Sequence, residues 1–230
     1  MSSPTMMPMS LEEIAQAVQG QLIAGTAAID TPVATSTFTD SRQIVEGSVF
    51  VAIAGERVDG HDYVSKVGAQ GAVAAIVDHE IDGAGVPQIV VEDTVLALGA
   101  LAKHNIERRR ALETPFTVIG ITGSVGKTTT KDLMKALLAH IGPTIAPVGS
   151  FNNEIGLPLT SLKVHAETRF LVAEMGANHV GEIANLTSLV PPDIAVVLKV
   201  GVAHLGEFGS PERIAQAKSE IIRGLVPGGL

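Results

Sequence analysis

Apolar and polar residues alternate along this chain in short blocks whose period changes, and the changes mark its elements. Ser10 with Glu13 three residues later makes a capping box. Ile14, Ala17 and Val18 then give a stripe at helical spacing, which Gly20 ends. From residue 33 to 92, short apolar runs (VFVAIAG, GAVAAIV, QIVVED) alternate with glycine-marked turns and one helical stretch around 62 to 70, the pattern of a small α/β unit. Residues 94 to 110 carry a helical pattern ending in Arg108, Arg109 and Arg110, cations that suit a helix C-terminus and make only a weak nucleic-acid patch. The stretch ALETP, 111 to 115, breaks the pattern and places a domain boundary, giving domains 1–112 and 113–230. Beyond it the pattern predicts strand 116–121, helix 127–141, strand 170–174, helix 181–189, strand 194–200 and helix 211–225. Such alternation predicts a parallel, doubly wound sheet.

Composition narrows the classes. Hydrophobic residues are 46% of the 230, yet no apolar stretch approaches the length of a bilayer span, and the longest fit strands. The first nine residues, MSSPTMMPM, lack a basic segment and a long apolar one. They read as a disordered tail rather than a secretory signal, which leaves a cytoplasmic location as the default expectation. With no cysteine, disulfides and thiolate metal sites are excluded, so any metal binds oxygen or nitrogen. A net charge of −8 and 3% aromatics argue against a nucleic-acid surface, while leaving phosphorylated small molecules open because loops meet their charge locally.

The most informative stretch is PFTVIGITGSVGKTTTK at 115–131, an apolar strand, a glycine turn and a helix start. Gly123 and Gly126 let backbone N–H groups of Gly123-Ser124-Val125-Gly126 close in on anionic oxygens, the helix start at Lys127, Thr128 and Thr129 adds partial positive charge, and Lys127 adds a full one. Thr128 would place a hydroxyl on Mg²⁺. The common spacing is not met, because Ile121 stands where its first glycine belongs and Gly120 lies one residue early, so the loop is a tighter variant. Ligands of such sheets gather beyond the carboxyl ends of the strands. Glu174, closing FLVAE there, suits a Mg²⁺ that bridges phosphate oxygens. His204 follows another strand as either ligand or structural residue, and Asn152 and Asn153 either contact a phosphate or peptide or form an ordinary turn. Lys218 interrupts the stripe Ile214, Ile221, Ile222, Leu225 of a helix capped by Ser210 and Pro211. It must snorkel outward or sit desolvated with a lowered pKa.

TGSVGKTTTK, SFNNEIGLP, EMGANHVGEI, AHLGEFGS and AQAKSEI, in this order, resemble the Mur ligase family, and TDSR, VFVAIAG and ERVDGHDY resemble the uridine-nucleotide domain of these ligases. EMGANHVGEI and NNEIGLP are similar to the branch that adds D-alanyl-D-alanine to UDP-N-acetylmuramoyl-tripeptide, rather than to relatives adding diaminopimelate or lysine. The resemblance implies an α/β protein with a small N-terminal UDP-binding domain and a doubly wound, parallel-sheet P-loop ATPase domain. It also implies a third domain, so the chain, stopping at PGGL, is expected to be a fragment of a monomeric enzyme. ATP and Mg²⁺ are the implied cofactors: Lys127, the loop Gly123 to Thr129 and Asn153 hold ATP, and Thr128 and Glu174 hold Mg²⁺. His204 and a carbamate formed on Lys218 hold a second Mg²⁺, with Lys127, His204 and Lys218 as the catalytic set. Ser41, Arg42, Arg57, Asp59 and Asn152 are the implied substrate contacts. The implied reaction passes through an acyl phosphate. The alternatives are a ligase adding a single amino acid, or a non-catalytic nucleotide-binding module; no guanine-reading or kinase-lid motif is found.

Overall fold

In a computed structural model, which describes residues 6–23, 31, 33–201 and 208–230, the chain divides into two units, Met1–Asn105 and Ile106–Leu230. The first holds helix α1 (Leu11–Ala17), strands β1 (Gln21–Ile23), β2 (Ser36–Phe38), β3 (Ser48–Val51), β4 (Ala72–Val77) and β5 (Gln88–Val90), and the short helix α2 (Val64–Val67) between 3₁₀ turns at Gly60–Tyr63 and Gly68–Gln70. The sheet order is β1-β5-β4-β3-β2, with β1 antiparallel to β5 and the other pairs parallel. Phe50, Ala75 and Val77 pack with Val64 and Val67, while the alternate residues Val49, Val51, Ala74 and Ile76 are equally buried. Burial on both faces explains why these strands read as unbroken apolar runs.

Two expectations at the start of the chain are corrected. Met6 and Met9 are fully buried, the Met6 N–H donates to the Thr35 carbonyl at 3.1 Å, and Met9 bridges Ala34. The segment from residue 6 is therefore packed rather than a disordered tail, because its methionines have apolar surface to bury. The Ser10 hydroxyl does accept from the Glu13 N–H, at 3.1 Å, but the left-handed residue that closes α1 is Gln19, at φ 54°. Gly20 donates to the Ala15 carbonyl at 2.8 Å, completing a Schellman-type end.

The second unit takes the last turn of α3 (Thr94–Arg110), then β6 (Thr117–Thr122), α4 (Lys127–Leu138), β7 (Thr144–Ile145), α5 (Gly156–Ser161), β8 (Phe170–Glu174), α6 (Glu182–Leu189), β9 (Ile194–Val197) and α7 (Pro211–Arg223). Its four strands are all parallel, in the order β7-β8-β6-β9. Val118 packs with Leu171, Ile183, Ile214 and Ile221 on one face. Ile119 and Ile121 pack with Val172, Met134 and Leu138 on the other. Helices α6 and α7 thus cover one side and α4 the opposite side, which is the doubly wound arrangement the alternation predicted. Ile222 departs from expectation: it is 56% exposed, whereas Ala217 and Lys218 are buried. Eight residues beyond Ile214 it lies about 80° around the helix at 3.6 residues per turn, off the stripe. No helix among the described residues is long and apolar enough to cross a membrane.

Two of the three arginines, Arg109 and Arg110, act as scaffolding. Arg109 is 1% exposed, and its guanidinium donates to the carbonyls of Thr168 (2.9 and 2.7 Å), Pro115 (3.0 Å) and Thr114 (3.3 Å). Burial holds its pKa below the usual value. Arg110 forks onto Asp193 with two contacts of 2.9 Å, and the same carboxylate accepts the Val118 N–H at 2.7 Å, tying it to β6.

Candidate functional site

Four residues separate β6 from α4, and two of them need backbone that a side chain disfavours. Gly126, at φ 85°, immediately precedes the helix; Gly123, at φ 151°, lies so close to Leu198 that an added Cβ would come within 2.7 Å of its side chain. Ser124 donates its N–H to the Lys199 carbonyl at 3.0 Å and accepts the Gly201 N–H on its hydroxyl at 3.0 Å, while Val125 is exposed. At any helix start the first N–H groups, here those of Lys127, Thr128 and Thr129, have no carbonyl one turn back, so they face outward as anion donors. The Lys127 ammonium donates to the Gly123 carbonyl at 3.0 Å, folded back over the loop. Gly120 belongs to the strand: a Cβ there would meet Ile221 and Pro192 at 3.1 Å, so its role is close packing.

Strand β8 pairs with β6 in a register that sets Glu174 opposite Ile121. Glu174 is 1% exposed. One carboxylate oxygen accepts the Thr128 hydroxyl at 3.1 Å and the other accepts the Asn152 amide at 2.8 Å. Both of these partners are neutral, and a buried carboxylate beside a hydroxyl and an amide suits a hard divalent cation such as Mg²⁺. Asn152 is held in turn by its carbonyl, which accepts the Gly176 N–H at 2.9 Å. Asn153 instead takes the Gly156 N–H on its side-chain oxygen at 2.9 Å and opens α5, the turn role left open for it. A cavity of about 480 Å³ adjoins these residues, lined by Asn152, Asn153, Ala177, Asn178, Glu182 and Asn185 among others. Asn178, Glu182 and Asn185 were not singled out in the sequence, although the polar stretch after a strand end was the signal for the first two.

Helix α7 begins as expected, with the Ser210 hydroxyl accepting the Arg213 N–H at 3.3 Å and Pro211 in the first turn. Lys218 does not snorkel. It is 2% exposed, donates to the Ala177 carbonyl at 3.2 Å and lies 5.4 Å from the centre of the Phe208 ring. Burial, and then the nearby charge of Lys127, bring its pKa down to about 8. Two residues on, the buried Glu220 carboxylate accepts the N–H groups of Gly181 (2.7 Å) and Ala184 (3.0 Å) and caps α6 from outside. Lys131, also buried, donates to the Pro147 carbonyl at 2.9 Å. His204 lies outside the described residues.

In the first unit, Ser41 and Arg42 border a second cavity of about 480 Å³ with Phe50, Val58, Gly60 and Tyr63. Asp40 opens the short turn at Ser41–Gln43, and its carboxyl falls to about 2 because the Arg42 guanidinium and N–H hydrogen-bond to it. The guanidinium contacts are 2.9 and 2.7 Å. Arg57 is exposed on a turn closed by a 3.0 Å bond from Gly55 N–H to the Val58 carbonyl. Asp59 holds His61 through both its backbone N–H and its ring. Neither Arg57 nor Asp59 lines the cavity.

A parallel sheet, a glycine turn opening α4 and a carboxylate closing the neighbouring strand define a phosphate-loop α/β protein. The chain belongs to the Mur ligase family: residues 121–230 match the Mur ligase middle domain, and residues 35–106 match the Mur ligase family catalytic domain. A UDP-N-acetylmuramoyl-tripeptide–D-alanyl-D-alanine ligase from Mycobacterium bovis is 43% identical, across 94% of this chain and 46% of that protein. The Escherichia coli ligase of the same name is 38% identical, across 98% and 47%. The crystal structure of MurF from Acinetobacter baumannii superposes with a TM-score of 0.86 at 40% identity, covering 98% of this chain and 48% of that one. MurF from Thermotoga maritima in complex with ADP gives 0.72 at 39%, covering 83% and 43%. The chain spans about half the length of the curated relatives it matches.

The lowered Lys218 pKa makes a pH prediction whose sign is set by linkage. Between about 8 and the usual 10.5 the unfolded chain binds a proton at this amine that the folded chain does not, so the cost of burial is present below pH 8 and is relieved as pH rises. In CO₂-free buffer, urea denaturation should show the native chain gaining roughly 2–3 kcal/mol relative to Lys218→Met between pH 7.5 and 10.5. A constant difference across that range would show that the amine keeps its ordinary pKa.

Proposed function

We propose that this chain is the substrate- and nucleotide-binding part of a cytoplasmic, ATP-dependent ligase that joins D-alanyl-D-alanine to UDP-N-acetylmuramoyl-tripeptide. The observation that carries the reading is the buried Glu174 carboxylate, gripped by Thr128 and Asn152 beside a phosphate loop. It is supported by likeness, over nearly the whole chain, to ligases that bear this name and to one solved with ADP. In this reading residues 1–112 take the UDP-sugar and residues 113–230 take ATP. The N–H groups of Gly123 to Thr129 and the Lys127 ammonium, released from the Gly123 carbonyl, bind the phosphates, with Asn153 at their edge. The Thr128 hydroxyl and Glu174 would hold Mg²⁺, which would offset negative charge on the phosphate oxygens. Ser41 and Arg42, with Arg57 and Asp59 on the adjoining turn, hold the uridine diphosphate, and Asn152 orients the peptide end.

A carboxylate is a poor electrophile, so the terminal carboxylate of the tripeptide first takes the γ-phosphoryl group, ADP leaving. The amine of D-alanyl-D-alanine then attacks the acyl carbon, and phosphate leaves as the amide forms. Lys127 counters the charge that develops during the first transfer. Lys218 supplies an amine that is substantially neutral near pH 8. Its lone pair can bond to CO₂, losing a proton to solvent, so that an anionic carbamate stands where a buried cation stood; with His204 it would offer donors for a second Mg²⁺.

Lys127→Ala should weaken Mg·ATP binding at least tenfold by calorimetry, without changing the circular dichroism. In the same samples, amide shifts induced by UDP-N-acetylmuramic acid should centre on Ser41, Arg42 and Tyr63. Unchanged ATP affinity, or UDP-sugar shifts confined to residues 116–230, would contradict the respective assignments.

The carbamate has its own signature. Equilibration with ¹³CO₂ should give a carbamate carbon resonance that grows as pH rises through about 8 and is missing in Lys218→Ala; its persistence in that variant would place the modification elsewhere.

A further inference from the structure

Away from the phosphate loop, a second set of donors converges in the first unit. His61 belongs to the turn Gly60–Tyr63 and is 6% exposed, whereas Asp78 and His79 follow β4 directly and are exposed. One donor atom from each lies within 4.8 Å of the others. The Asp78 Oδ1 stands 3.2 Å from His61 Nε2 and in direct contact with His79 Nδ1. The two imidazole rings stack with centroids 4.8 Å apart. On its other side His61 presents Nδ1 to the Asp59 carboxylate at 2.6 Å. With that nitrogen donating, Nε2 carries the lone pair, and the Asp78 N–H does point to it as a donor at 3.2 Å. The Nε2 lone pair, which now accepts that N–H, lies beside the Asp78 Oδ1, so a cation shared by the two atoms would take the place of the N–H at Nε2.

We propose that His61 Nε2, Asp78 Oδ1 and His79 Nδ1 form a binding site for a transition-metal ion of the Zn²⁺ type. Two imidazoles and one carboxylate are donors such ions prefer. Bonds of about 2.1 Å in a tetrahedral site put ligand atoms roughly 3.4 Å apart, close to the spacing already present between His61 and Asp78, whereas the direct contact between Asp78 and the exposed His79 would have to open to admit the ion. Asp59 supplies the outer carboxylate that orients a metal-bound imidazole. The exposed side chain of His79 leaves a fourth position open to water. A bound ion would tie the turn Gly60–Tyr63 to the end of β4. Gly60 and Tyr63 line the cavity of Ser41 and Arg42, so metal occupancy would stiffen one wall of that cavity. The competing account of the same contacts is protons alone, with both rings charged between Asp59 and Asp78.

The test uses the tag-free, chelator-treated chain, with Zn²⁺ followed by calorimetry and Co²⁺ by its visible absorption. The native chain should bind one equivalent at this site, and Co²⁺ should show the intense bands of a four-coordinate ion. His79→Ala and Asp78→Asn, both surface changes, should each weaken Zn²⁺ binding at least tenfold. Glu174→Gln should leave that binding intact, which separates it from the phosphate-loop site. Zn²⁺ should raise the melting temperature of the native chain and not of His79→Ala. Equal Zn²⁺ affinity in native chain and both variants, or His61 and His79 ring resonances unmoved by one equivalent of Zn²⁺, would overturn the proposal and leave a proton-held cluster.

Discussion

The buried carboxylate of Glu174 is the constraint on which the second unit's site is built. Taking such a charge out of water costs several kcal/mol even after relaxation, and one hydroxyl and one amide offset that only in part. The register between β6 and β8 puts Glu174 beside Ile121. Thr128, in the first turn of α4, comes within reach only because Gly123 and Gly126 accept the backbone that turns the chain so tightly. Asn152 arrives from the turn before α5. Strand, loop and turn thus converge on one buried acceptor.

The amines nearby follow the complementary logic. Lys127 sits on a carbonyl it can leave, and its charge adds to the burial that lowers the Lys218 pKa. Lys218 occupies the apolar face of α7 because the helix period puts it there with Ile214, Ala217 and Ile221. Its carbonyl partner, Ala177, is a lining residue of the cavity beside Asn152. Arg109 and Arg110 are different: their several carbonyl and carboxylate contacts fix the end of α3 to the unit, which makes them scaffold rather than reactive groups.

The parts legible from sequence were those whose residue chemistry is local. Gly123 and Gly126 announce a phosphate turn because few residues tolerate that backbone, and the strand 170–174 ends on a carboxylate within an otherwise apolar run. The doubly wound sheet followed from alternating periods. Less legible were elements too short to carry a period, β7 with two residues and α5 with six. Burial that depends on distant neighbours also escaped: Met6 and Met9 read as a tail, and nothing in the local sequence marks Lys131 or Arg109 as buried. Asn152 and Asn153 were inseparable by spacing, and only their partners, Glu174 and Gly156, distinguish them. Arg57 and Asp59 rest on resemblance alone, since the cavity beside Ser41 is lined by other residues of that turn.

Glu174 and Thr128 are proposed to hold the divalent ion of a bound nucleotide. Paramagnetic broadening by Mn²⁺ with ADP tests it most directly, read on the backbone amides of the whole chain. Broadening should centre on Gly126, Lys127, Thr128, Asn152 and Glu174, and should be lost from those amides in Glu174→Gln. Broadening centred elsewhere, or undiminished at these amides in that variant, would contradict it.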